Sequence, residues 1–117
     1  MPKVKFVLNG QLEQLEKNWK LLENDDPEVE DNMKAPVKWF NPTGSGTWIG
    51  LAKKPGEPII YGYAHIQEWE LGYFSMDELQ EFRDSRFGLG IERDMYWTPI
   101  PMRKIRESIE AKQTIIL

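Results

Sequence analysis

Between Val37 and Tyr73 the chain sets Trp39, Phe40, Trp48, Tyr61, Tyr63, Trp69 and Tyr73 among β-branched residues, and breaks them at Asn41-Pro42, Gly44-Ser45-Gly46, Pro55-Gly56 and Gly62. Short aromatic and branched runs between turn formers predict successive antiparallel strands. We place them at 35–40, 47–52 and 59–64, with turns at 41–46 and 53–58 and a final strand at 95–98. Side chains alternate along a strand, so Val37, Trp39 and Phe40 cannot all share one face. At least one of Trp39 and Phe40 is expected to point away from the main core, toward a second layer or an exposed patch. Gly62 inside a strand marks a bulge or a close backbone approach.

Helical periodicity flanks this stretch. Leu12, Leu15, Trp19 and Leu22 recur at helical spacing after Asn9, a residue able to cap a helix start, and 3–8 reads as a short strand or an extended lead-in. Pairs such as Glu13 with Lys17 contribute only about 0.2–0.5 kcal/mol each, so the apolar stripe must anchor the helix. Ser75-Met76-Asp77-Glu78 has the form of a capping box, with Phe74 and Leu79 placed as a hydrophobic staple. It predicts a short helix ending near 83–86. Pro99 and Pro101 precede a last helix with Met102, Ile105 and Ile109 inward and Arg103, Lys104, Arg106 and Lys112 outward. The apolar end, Ile115-Ile116-Leu117, is expected to pair with a sheet edge or to contact another subunit.

The whole chain of 117 residues carries a net charge of -4, and that charge is unevenly placed. From Gln11 to Asn32 eight acids stand against Lys17 and Lys20, a local balance of -6 that leaves the remainder at +2. Glu23, Asp25, Asp26, Glu28, Glu30 and Asp31 form the densest part, interrupted by Pro27, and read as an exposed loop. Two readings stand: a solvated connector kept extended by like charges, or an acidic surface that engages a basic partner. The second makes Asp25, Asp26, Glu28 and Glu30 binding residues, joined by Trp39 and Trp69 where the sheet presents them. The turn glycine of a calcium-binding loop is missing. An acidic balance argues against a general nucleic-acid binder, and Glu107 and Glu110 mute the basic face of the last helix.

Chemistry has few carriers. With no cysteine, thiolate zinc sites, disulfides and cysteine nucleophiles are excluded, and a reducing compartment fits. No apolar run has the length of a membrane span, and the start lacks a signal-peptide pattern, so the expected setting is cytoplasmic with no membrane contact. Thr43-Gly44-Ser45-Gly46-Thr47 lacks the lysine and following helix of a phosphate loop. His65 with Glu68 or Glu70 could form a proton-transfer pair, since imidazole titrates near neutrality and a carboxylate can orient it. A lone histidine at a strand end is more often an ordinary surface or hydrogen-bonding residue. No cofactor or metal is implied.

Lys38-Trp39-Phe40-Asn41-Pro42, Gly46-Thr47-Trp48, Gly62, Glu70 through Leu79 and Leu89-Gly90-Ile91-Glu92-Arg93-Asp94 together resemble an uncharacterised family, domain of unknown function 2958, over about 12–97. The resemblance implies a domain encoded largely on plasmids, integrative elements and phages, with no established activity. It draws attention to Thr47, Trp48, Glu70, Gly72, Glu92 and Asp94. His65 and Trp69 depart from the family pattern, where an acidic residue and a proline commonly stand, which weakens a mechanism centred on His65.

The expectation is one α+β domain over 1–117: an antiparallel sheet of four or five strands with helices packed mainly on one face. Two functions are carried forward. One is a non-enzymatic accessory protein of a mobile element or phage that binds a host or element macromolecule, such as a basic protein, to counter a defence system. The alternative is a small hydrolase or nucleotide-acting enzyme using His65, Glu70, Glu92 and Asp94.

Overall fold

The structure is a computed structural model that describes residues 5–24 and 26–112. Five strands, β1 (Val37–Phe40), β2 (Thr47–Lys53), β3 (Ile59–His65), β4 (Trp69–Ser75) and β5 (Glu92–Arg93), form one antiparallel sheet in the order β4-β3-β2-β1-β5. The aromatic stretch is therefore a four-stranded meander, and β5 returns to pair beside β1. Helices α1 (Asn9–Leu22), α2 (Pro27–Asn32), α3 (Met76–Glu81) and α4 (Met102–Glu110) complete an α+β fold.

Pleating divides the sheet into two faces with separate cores. Ile49 and Tyr63 lie opposite each other on one face and pack with Leu51, Met33, Ala35, Trp97, Met102 and Ile105. Val37, Trp39, Trp48 and Ile60 face the other way and pack with Leu15, Leu79 and Ile91. The class matches the expectation, but the helices are not confined to one face. Helix α4 and Val29 of α2 cover the first, α3 the second, and α1 reaches both through Leu22 and Leu15.

Two backbone features fix how the strands meet. A bulge between Gly50 and Ala52 interrupts the β2–β3 register. Val37 pairs with Gly50, so β2 runs on past the start of β1, and there α1 takes over as its neighbour. Asn18, only 2% exposed, donates through Nδ2 to the Leu51 carbonyl oxygen at 2.8 Å and accepts from Gln14 Nε2 at 2.7 Å. Both roles expected for Gly62 are met: it pairs with Gly50 at the edge of that bulge, and a Cβ there would stand 2.0 Å from the Ile49 oxygen.

Several boundaries differ from those expected, each for a local reason. Leu8, not Asn9, is the N-cap of α1, and its N–H donates to Gln11 Oε1 at 2.9 Å. Residues 5–8 form no strand; Phe6 stacks on Trp39 at 5.0 Å and accepts from its indole N–H. Helix α3 is capped by Ser75 as expected, with Glu78 N–H donating to Ser75 Oγ at 3.2 Å, but it stops at Glu81. Beyond it Asp84 accepts from the N–H groups of Arg86 and Phe87 and draws the chain into a turn. The last strand is 92–93 rather than 95–98, because the Asp94 side chain accepts from Tyr96 N–H and closes another turn. The tail at 115–117 lies outside the described residues.

The acidic stretch is only partly a loop. Asp26 accepts from Glu28 N–H, Pro27 occupies the first turn and the chain runs helically to Asn32. Like charges do not prevent this, since Glu28 and Glu30 sit in the first turn, where the helix dipole favours anions. Asp31 forms a two-pronged pair with Arg106 of α4, the second contact at 3.2 Å, so the outward-facing Arg106 ties α4 to α2.

Candidate functional site

Helix α2 is an acidic ridge with a cleft on each side. The larger, about 780 Å³, opens between α1, α2 and the segment leading into β1. Leu21, Val29, Met33, Pro36 and Pro99 give it an apolar lining, and Gln14, Asn18 and Asn32 add amides. Asp26, Glu28 and Lys34 complete its lining. Leu21 is 48% exposed, so the lining offers apolar area to a partner as well as to the fold.

The acids of the ridge do different work. Glu28 is exposed, and Asp26 is exposed while capping α2. Glu30 accepts from the Tyr61 hydroxyl at 3.0 Å. Burial, reinforced by the Glu30 charge, pushes that phenol well above its ordinary value. The Arg106 hydrogen bond holds the Asp31 carboxyl below its ordinary range. Asp25 lies outside the described residues. Of the four acids expected to bind, Asp26 and Glu28 stand on the larger cleft, whereas Glu30 is turned toward the sheet.

The two tryptophans part company. Trp39 is fully buried, and its expected place outside the core is corrected: Phe6 covers one side of the ring and Phe74 meets it edge-on. Lys38 and Phe40 take the opposite face of β1. Trp69 is half-buried, its ring 4.8 Å from that of His65 and 6.3 Å from that of Tyr63.

The expected catalytic group is not assembled. His65 pairs with Trp69 across β3 and β4, whereas Glu70 pairs with Ala64, which puts the histidine and Glu70 on opposite faces. Glu92 shares a cross-strand row with His65 through Phe40 and Thr47, but three strand spacings separate them, roughly 14 Å. Asp94 is committed to Lys38 at 3.4 Å. Among the described residues no three His, Asp or Glu side chains converge as a metal site would require.

Two groupings escaped the sequence reading. Asn18 falls on the inward stripe of α1 but is polar, so periodicity passed over it. Trp19, Tyr61 and Tyr73 converge with Glu23 and Glu30 around a small cleft of about 300 Å³. The Tyr61–Tyr73 pairing follows from strand register, and the convergence with α1 only from the tertiary fold.

No curated protein and no solved structure gives a significant match to the chain. The family profile of DUF2958, described as protein of unknown function, matches residues 7–114, beyond the 12–97 on which the motifs lie. The chain belongs to the DUF2958 family.

Proposed function

We propose that the protein is a non-enzymatic accessory protein of a mobile element or phage that binds a basic host or element protein along α2, and so blunts a defence system. The mobile-element setting rests on the family resemblance. The observation that carries the binding reading is the larger cleft, where apolar side chains lie beside Asp26 and Glu28. Apolar area supplies affinity when a partner covers it, and exposed carboxylates steer a basic partner to it. The separation of His65 from Glu70 and Glu92 favours binding over the hydrolase reading.

Affinity capture from the native host, followed by direct binding of the recovered protein, tests this. Asp26→Asn keeps a capping oxygen while removing charge, Glu28→Gln is surface-neutral for the fold, and Leu21→Ser removes apolar lining. The triple variant is expected to lose affinity, and wild-type binding to weaken as salt rises over a Debye length of about 8–10 Å. Unchanged affinity in the triple variant at low and physiological salt overturns the reading.

A further inference from the structure

On the side of α2 away from the larger cleft, Trp19 of α1, Tyr61 of β3 and Tyr73 of β4 line a cavity of about 300 Å³ together with Leu22, Glu23 and Glu30. The Tyr73 ring centroid lies 6.2 Å from that of Trp19 and 5.3 Å from that of Tyr61, with interplanar angles of 59° and 44°. Rings tilted in this way are not stacked face to face, so ring face remains available to a guest. The Tyr61 hydroxyl is tied to Glu30, which fixes both the ring and a carboxylate at the cavity. Glu23 is exposed and supplies a second carboxylate. Among the described residues no lysine or arginine lines the cavity; Lys54 borders the adjoining cleft, with its ammonium 2.8 Å from Glu57.

We infer that this cavity binds a quaternary ammonium group. Aromatic faces attract a cation through their quadrupole, most favourably when the cation gives up little hydration on entering. A plain lysine ammonium is a compact, strongly hydrated charge, whereas an alkylated ammonium brings methyl groups that meet the rings directly. The two carboxylates balance the charge without requiring hydrogen-bond donors from the ligand. Tyr73 is 69% exposed although two other rings stand beside it, a large aromatic surface left on offer. The headgroup has two sources: a methylated lysine side chain of a protein, or a free small quaternary amine. This site goes beyond the cleft at Asp26 and Glu28 and stands or falls without it.

The probe is tetramethylammonium chloride, titrated into the full chain against sodium chloride at matched ionic strength and followed by nuclear magnetic resonance. Saturable shifts are expected at the Trp19 indole N–H and the Tyr61 and Tyr73 rings, with none of that size from sodium. Tyr73→Ala is expected to weaken binding by about threefold to thirtyfold, the range of a cation–π contact, while Tyr73→Phe, which keeps the ring, binds within about twofold of wild type. Choline and a short trimethyllysine peptide distinguish the sources, since tighter binding of the peptide assigns a protein ligand and equal binding a free amine. Shifts that track ionic strength alone, or a folded Tyr73→Ala variant that binds as wild type does, overturn the inference.

Discussion

The side-chain amide of Asn18 donates to the main-chain oxygen of Leu51, a bond of 2.8 Å from a helix to a strand between residues 33 positions apart. It stands where β2 has outrun β1, so a helix side chain satisfies a carbonyl that would otherwise be left buried and unpaired. Asn18→Ala and Asn18→Leu are both expected to destabilise the fold by about 1–3 kcal/mol, because each orphans that carbonyl. Asn18→Asp is expected to cost more, since a carboxylate oxygen would then face the carbonyl. Urea denaturation gives the ranking, and an Asn18→Leu variant as stable as wild type would show the bond to be dispensable.

Two strand glycines should behave oppositely. At Gly62 a methyl group would stand 2.0 Å from the Ile49 oxygen, and backbone is the least yielding neighbour. Gly62→Ala is expected to cost about 3 kcal/mol or more by overpacking. At Gly72, directly opposite on β4, a methyl group meets nothing within 4 Å. Gly72→Ala is expected to stay within about 0.5 kcal/mol of wild type or to gain slightly. Equal melting temperatures for the two variants would refute the close approach.

Acid should loosen α2 from α4. Arg106 holds the Asp31 carboxyl below its ordinary 3.8, so in acid the folded chain binds fewer protons than the unfolded one. The contribution is complete above the unfolded value and is lost as pH falls through the folded one. Denaturation midpoints followed downward from about pH 5 should fall less steeply in Asp31→Asn than in wild type. Asp84, also held low by backbone N–H groups, retains its share of acid sensitivity in both chains. Parallel profiles would mean that the ion pair adds nothing to stability.

The cap of α3 offers a smaller test. Ser75→Ala is expected to cost about 0.5–2 kcal/mol, and Ser75→Asp to restore most of it, because a carboxylate can accept from the same Glu78 N–H. An unchanged denaturation midpoint in Ser75→Ala is the contrary result.

The meander was legible because its information is local: Asn41-Pro42, Pro55-Gly56 and the alternation around Trp48 and Tyr63 report turns and faces residue by residue. Ser75 was legible for the same reason. The end of α3 and the place of β5 were not, because Asp84 and Asp94 override chain propensity through side-chain acceptors that a periodicity count ignores. The acidic stretch misled in another way. Six like charges suggested an extended loop, but Asp31 finds Arg106 75 residues away and Glu30 finds Tyr61, partners that only the tertiary fold brings near. That Trp39 and Phe40 take opposite faces was legible from the pleat, but which of the two is fully buried depended on the N-terminal segment that covers Trp39.

With apolar contacts split between the two faces of a sheet, the protein has two buried groups of side chains that meet mainly through the backbone between them. Ile105 and Leu79 belong to different groups, on opposite faces of the sheet. Truncating either alone removes packing on its own side, so a double substitution should sum the two losses with little coupling energy. Trp39 and Leu15, which share one group, should instead show a large interaction term. A double-mutant cycle on each pair would thus measure how far a single thin sheet insulates one half of its own interior from the other.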